Sequence, residues 1–399
     1  MRQALFVLNL LLLAGCSTVP PKPNRAALAA TLDKLLRTAV DQKSVPGAVA
    51  IVATGDGVVY DGAASMNKDA IFAIASMTKP VTSVAVMQLV EAGKVNVDEA
   101  ASTYVPELAK SYVLENGKQR APKNPVTVRH LLTHTSGFSY EFMNPEIFKL
   151  VQSRKVPSVM AGGDAFLRAP LLFDPGQRWE YGINTDWLGR IVEKVSGQNL
   201  DQYFRVNIFE PLGMEDSFFQ APEEKKGRVA KLYQRKEDGS LVEQPMLPVV
   251  GGTFLSGGGG LLSTAADYIK FSQAIMSGGQ FGGKSILKPE TVALMGQNQI
   301  GELGISPFRS LLPQLAKDNG ALPGRLDKFG FGFALNSKAI EQGRGANTLA
   351  WAGIFNTFFW IDREKKVCAV LMTHMSPGLD DGPAKLLEDF DHAVYSWLQ

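Results

Sequence analysis

The chain has 399 residues, of which 45% are hydrophobic, 20% charged and 9% aromatic; this ordinary globular balance excludes a disordered tail protein, a collagen-like fibre and a coiled coil. The length suffices for one large domain or two of moderate size with ample core. Lys plus Arg number 41 against 39 Asp plus Glu, a formal charge of +2, and no basic stretch stands out locally, so nucleic acid is excluded as a partner.

In chain order, the first residues read as a targeting segment. Arg2 supplies a positive start, and Ala4 to Ala14 is apolar apart from Asn9. A run of about a dozen residues is too short for the roughly 20 that a spanning helix needs. It ends in Leu13-Ala14-Gly15-Cys16, which resembles the lipobox of bacterial lipoproteins. The resemblance implies a signal peptide over residues 1–15, a lipid on Cys16 and, with Ser17 following, an outer-membrane location on the periplasmic side of the cell envelope. An ordinary secretory signal is the alternative. Residues 16–25 are Pro-rich and polar and read as a tether.

Ala26 to Val40 carries Leu32, Leu35, Leu36 and Val40 at helical spacing. Gly47 to Ala53 is β-rich, residues 54–57 form a turn and Val58 to Tyr60 returns, so a hairpin is expected. Phe72 to Val90 is a long apolar stretch containing Pro80, expected to be helical from Ser76 and to stop at Gly93. Residues 106–249 mix helical patterns with Pro/Gly loops, and Asp267 to Met276 is helical again. Phe329 to Phe333, Leu349 to Ile361 and Lys366 to His374 are β-rich, and Gly382 to Gln399 closes with helical spacing. Short connections between neighbouring strands favour antiparallel pairing. The economical fold is α/β (α+β), with an antiparallel sheet from both chain ends flanked by helices. Residues 26–105 and 250–399 would form that α/β sandwich domain, and 106–249 an inserted, mainly helical domain.

Ser-x-x-Lys occurs at Ser65/Lys68, Ser76/Lys79 and Ser285/Lys288, so the spacing alone means little. Context separates the three. Ser65 sits in a polar loop, and Lys288 precedes a proline, which biases it away from helix. Ser76 opens an apolar helix, where residues three apart share a face and can touch. Pro80 in the first turn costs little, because those N–H groups lack intrahelical partners. The helix amides would then lie beside the serine oxygen, where an oxyanion forms. Burial would favour the neutral amine of Lys79, the form a general base needs, and a serine with a lysine base needs no histidine.

In this setting Ser76-Met77-Thr78-Lys79 resembles the superfamily of class C β-lactamases, penicillin-binding proteins and family VIII carboxylesterases. Other segments agree in order and spacing: Val128 to Gly137 (VRHLLTHTSG), Phe173-Asp174-Pro175-Gly176 leading to Tyr181, Phe209 to Met214 (FEPLGM) and Gly257 to Thr264 (GGGGLLST). The resemblance covers nearly all the chain after the tether and implies the β-lactamase/transpeptidase-like fold. Two departures bear on the subtype. The family's Tyr-x-Asn reads Tyr181-Gly182-Ile183 here, with Asn184 one place late, and its Lys-Thr-Gly reads Trp351-Ala352-Gly353. Trp-x-Gly is what family VIII esterases carry. The resemblance therefore implies a serine hydrolase acting on short-chain acyl esters, with Ser76 as nucleophile and Lys79 and Tyr181 as base and proton shuttle. It also implies an oxyanion hole from the N–H groups of Ser76 and Ile354. Gly353 would allow close approach of substrate, and Trp351 would line the pocket. Tyr140 is a further pocket candidate, with packing as its alternative. No cofactor is implied. The partners expected are a small-molecule ester and, through the lipid alone, a membrane. A β-lactamase or D-amino-acid peptidase or amidase of the same superfamily is the alternative, and a catalytically silent envelope-binding lipoprotein is the alternative of another class.

Other patterns carry less. Gly278 to Ser285 fits GxxxxGK[ST], and Phe358 to Asp362 looks like a Walker B strand, but a helix precedes the glycines and Pro289 follows, so a turn between helices is expected and no nucleotide. His130 and His134 have zinc-site spacing without the HExxH glutamate, so no metal is expected. No GxSxG elbow exists around Ser256, and Gly257 to Gly260 reads as a tight loop. Cys368 lies in an apolar strand-like run as a structural thiol, and lipidation of Cys16 would leave it without a disulfide partner.

Overall fold

The computed structural model describes residues 24–246, 254–318 and 324–399. The expected signal peptide, Cys16 and nearly all of the tether lie outside the described residues. The first helix runs Arg25–Asp41, so it begins inside the expected tether. Asn24 makes that start possible: its side-chain oxygen accepts the N–H groups of Ala26 and Ala27 at 3.0 and 3.2 Å. Leu28, Leu32, Leu36 and Ala39 are buried, one stripe at helical spacing.

Among the described residues, seven strands form one sheet. Across it the order is Lys328–Phe329, Ala334–Leu335, Leu349–Gly353, Thr357–Asp362, Val367–Met372, Ala48–Thr54 and Gly57–Ala64. Every pairing is antiparallel, and the seam between the chain ends aligns Val49 with Met372 and Thr54 with Val367. Alternate residues face opposite ways. Ala48, Ala50 and Val52 join a core with Leu32, Leu36, Leu386 and Phe390 from the first helix and the last, Asp381–Leu398. Val49, Ile51 and Ala53 face the larger core, which includes the helices Thr78–Glu91 and Ala265–Met276. Cover on both faces explains why the C-terminal strands are uninterrupted apolar runs. Cys368 is buried there, and burial pushes its thiol up.

The segment before the central helix differs from expectation. Phe72–Ala73 is a short strand paired with Leu262–Ser263. Ser76 sits in a 3₁₀ turn, Ala75–Met77, and the α-helix proper is Thr78–Glu91. Ala75 has φ +44°, a left-handed conformation through which a right-handed helix cannot extend backward.

Residues 106–246 contribute helices at Pro145–Gln152 and Asn184–Ser196 and two hairpins, Val113–Glu115 with Lys118–Arg120 and Leu232–Arg235 with Leu241–Gln244. The second hairpin pairs in parallel with Met375–Ser376. Residues 280–285 form a two-residue hairpin turned by Gly282 and Gly283 between two helices, so the strand–loop–helix order of a nucleotide loop is missing.

Candidate active site

Ser76 is presented by its own turn. A non-glycine residue at positive φ costs about 1–3 kcal/mol and survives where packing imposes it; Ala75 is 7% exposed, and its neighbours Ile74 and Met77 are fully buried. The next turn of chain delivers Lys79, only 2% exposed. Its Nζ donates to Ser76 Oγ at 3.1 Å, to the Tyr140 hydroxyl at 3.0 Å and to the Gly258 carbonyl at 2.6 Å. Tyr181 stands just before the helix Asn184–Ser196, and its hydroxyl donates to Ser76 Oγ at 2.6 Å. Among the described residues, Lys79 and Tyr181 are the side chains that hydrogen-bond Ser76 Oγ. The three residues singled out by spacing and resemblance therefore meet at one point.

Tyr140 lines the cleft with Ser76, and it also touches Lys79. Its partnership with the lysine is the part that sequence reasoning missed. Burial first, then Tyr181 and Asp186, hold its hydroxyl well above the usual tyrosine range, so it remains a neutral phenol. Lys79 Nζ lies 4.7 Å from the Tyr181 ring centroid and 5.3 Å from that of Tyr140, over both faces.

The strand Leu349–Gly353 forms the opposite wall. A narrow cleft is lined by Ser76, Tyr181, Trp351, Gly353 and Ile354, with Phe142 and Phe308 beside them. Gly353 is required sterically: a methyl group there would run into the Ile74 carbonyl and the Thr357 hydroxyl. Ile354 directly follows and lies beside Ser76, where the second oxyanion donor is expected. Trp351 packs on Tyr181 and Phe329 with ring centroids 5.1 and 5.5 Å apart. A second lobe shares Ser76, Phe142 and Ile354 and adds Tyr140, Met160 and Asp186. A larger cavity, lined by Asp201, Arg205, Met214 and Phe218, holds none of Ser76, Lys79 and Tyr181.

The displaced Asn184 is engaged elsewhere. It is fully buried, its side-chain nitrogen lies 2.9 Å from His134 Nδ1, and its oxygen accepts from the Ser136 hydroxyl. His134 in turn packs on the Tyr181 ring at 5.0 Å. Burial, and then the nearby Lys79, push its imidazole well below the usual histidine range. His134 has φ +57° and lies past the end of the helix Val128–Leu132, whereas His130 Nδ1 accepts the Thr127 N–H at 3.1 Å. The two imidazoles thus serve separate structural bonds and do not share a helix face. Of the other Ser-x-x-Lys pairs, Lys68 is spent on Asp61 and Ser285 on the Leu287 carbonyl.

Asp186 and Ser256 also border the second lobe, and no local pattern marked them. The Asp186 carboxylate accepts from Ser256 Oγ at 2.6 Å and from the Gly258 N–H at 3.0 Å. Burial raises its proton affinity, opposed by Lys79 and by these two donors.

The family described as Beta-lactamase matches residues 32–393. The chain is 29% identical over 400 residues to monacolin J acid methylbutanoyltransferase of Aspergillus terreus, covering 92% of this chain and 96% of that protein. It is 29% identical over 396 residues to lovastatin esterase of Penicillium rubens, covering 91% and 98%. The solved structure of simvastatin synthase from Aspergillus terreus superimposes with a TM-score of 0.80 at 28% identity, over 92% of this chain and 98% of that one. With the Ser76, Lys79 and Tyr181 constellation set on this sheet, the chain belongs to the Beta-lactamase family, as a serine hydrolase.

Proposed function

We propose that the chain is a carboxylesterase that hydrolyses short-chain acyl esters through an acyl-enzyme on Ser76. The observation that carries this reading is the pair of short contacts to Ser76 Oγ, from Tyr181 and Lys79, beside a pocket wall built from Trp351 rather than a cation. Tyr181, whose hydroxyl donates to Ser76 Oγ at rest, first releases its own proton to solvent; Ser76 Oγ then attacks the ester carbonyl carbon and its proton passes to the Tyr181 phenolate, which returns to the neutral phenol. Three acceptors around Lys79 Nζ match the three N–H bonds of an ammonium, which has no lone pair to offer; Lys79 therefore acts as the cation that stabilises the Tyr181 phenolate until it takes the serine proton. The tetrahedral oxyanion lies between the N–H groups of Ser76 and Ile354. Its collapse expels the alcohol, which takes the proton from Tyr181. Water, deprotonated by the same pair, releases the acid and restores Ser76.

A carboxylate-bearing β-lactam finds no cation at Trp351 and no side-chain amide from the buried Asn184. Paired kinetics test this directly. p-Nitrophenyl acetate and butyrate should turn over while a chromogenic cephalosporin opens slowly or not at all. Strong lactam hydrolysis would refute the assignment, and silence on all three would move it to peptide substrates or to a binding role.

A second reading, transfer of the acyl group to an alcohol, is favoured by the apolar lining of the cleft, where Phe142, Phe308 and Trp351 disfavour water. The relatives named as a methylbutanoyltransferase and an esterase support both outcomes. Adding a primary alcohol during turnover separates them, since transfer yields a new ester in place of free acid. We further propose that Cys16 carries a lipid that tethers the enzyme to the envelope membrane. Cys16→Ala should release activity into the soluble fraction, and unchanged fractionation would overturn the anchor.

A further inference from the structure

Lys79 is gripped by a loop, and the loop is gripped by a carboxylate that plays no part in the scheme above. The helix Thr78–Glu91 hydrogen-bonds the segment Gly257–Leu261 three times. Thr78 Oγ1 accepts the Leu261 N–H at 3.1 Å, Lys79 Nζ donates to the Gly258 carbonyl at 2.6 Å, and Thr82 Oγ1 donates to the Gly257 carbonyl at 2.7 Å. From the neighbouring helix Asn184–Ser196, a single oxygen, Oδ1 of Asp186, receives both the Ser256 hydroxyl and the Gly258 N–H. The loop has no slack between these supports. A Cβ on Gly257 would lie 2.8 Å from the Thr185 carbonyl, and one on Gly258 would press on the Asp186 carboxylate.

Gly258 is therefore tied at both ends of one residue: its N–H to Asp186 and its carbonyl to Lys79. Asp186 is 1% exposed, and an ionisable group is an expensive choice for a loop that only needs an acceptor. Its placement beside the pocket, one residue away from Lys79 through Gly258, is what distinguishes it from ordinary loop packing.

We propose that Asp186 is a positioning residue for Lys79: through Gly258 it sets the height of the carbonyl that receives Nζ, and so the distance from Nζ to Ser76 Oγ. The inference rests on Ser76 being the nucleophile. The experiment uses the full chain with Asp186→Ala and Asp186→Asn, the latter keeping an Oδ1 acceptor. Four quantities are read: kcat and KM for p-nitrophenyl butyrate against pH, the rate of Ser76 labelling by a fluorophosphonate, and the melting temperature. Asp186→Ala should lower kcat and the labelling rate together by roughly 100-fold, the loss expected of an ångström-scale misplacement. KM should stay nearly constant, and the acidic limb of the kcat–pH profile should move. Asp186→Asn should recover most of the rate.

A wild-type labelling rate and pH profile in Asp186→Ala overturns the proposal. So does a raised KM at unchanged kcat, which would make Asp186 a substrate contact, and so does an Asn variant as slow as the Ala variant. If Asp186→Ala does not fold, Ser256→Ala decides: it removes one of the two donors on Oδ1 and should slow labelling several-fold, and an unchanged rate overturns the proposal. Failure of the wild-type chain to label at Ser76 is a different result, and it overturns the nucleophile assignment itself.

Discussion

Ser76 is one of three serines in this chain that precede a lysine by three residues, and the structure separates them by what each lysine touches. Lys79 reaches Ser76 Oγ at 3.1 Å, whereas Lys68 donates to the Asp61 carbonyl at 2.6 Å. Ser76→Ala and Lys79→Ala should each abolish ester turnover, and Ser65→Ala should leave it unchanged; full activity in Ser76→Ala refutes the mechanism. Tyr140→Phe removes an acceptor from a buried cation while keeping the ring that packs on Phe142 at 4.9 Å. A hydrogen bond to a charged group contributes about 1.5–3 kcal/mol, so kcat should fall by about 10-fold or more with the fold intact. A kcat equal to wild type would return Tyr140 to a packing role.

The elements that carry the site were legible to different degrees. The hairpin Ala48–Ala64 and the C-terminal strands announced themselves through apolar runs broken by turns, and Pro80 marked the first turn of the central helix. The short strand Phe72–Ala73 did not, because its partner lies about 190 residues away and two paired residues leave no periodicity to read. The left-handed Ala75 was equally silent, since alanine has no preference for that conformation and only tertiary packing imposes it. Asp186 belongs to the same class: its two partners are 70 and 72 residues away. The Trp351-Ala352-Gly353 strand was readable through Gly353, whose lack of a side chain admits the Ile74 carbonyl. Gly353→Ala should push this wall off Ser76 and lower kcat/KM by roughly 100-fold, with a lower melting temperature. Unchanged kinetics would mean that the wall does not set the oxyanion geometry.

At the scale of the whole molecule, buried histidines make the fold sensitive to acid. His374 is fully enclosed, with Nδ1 3.0 Å from the Ala230 carbonyl and the rings of Phe72 and Phe355 against it. Burial pushes its imidazole from 6.5 down to about 4, and His134 moves in the same direction. The unfolded chain then binds more protons than the folded one between pH 6.5 and about 4, so stability falls as the pH drops through that window, by on the order of 3 kcal/mol for His374. Denaturant midpoints measured across this range should show the slope, and His374→Phe should flatten it; an equal slope in the variant would assign the effect elsewhere. The sheet has a second consequence at this scale. Its seam joins the first strand to the last long one, and the helices outside it meet where the Trp397 indole N–H donates to the Asn24 carbonyl at 3.0 Å. The two extremities of the described fold are therefore neighbours. A short peptide could splice them and a new opening could be cut at the exposed Gly239 turn, giving a circular permutant that keeps every strand pairing while moving any membrane attachment point to another side of the enzyme.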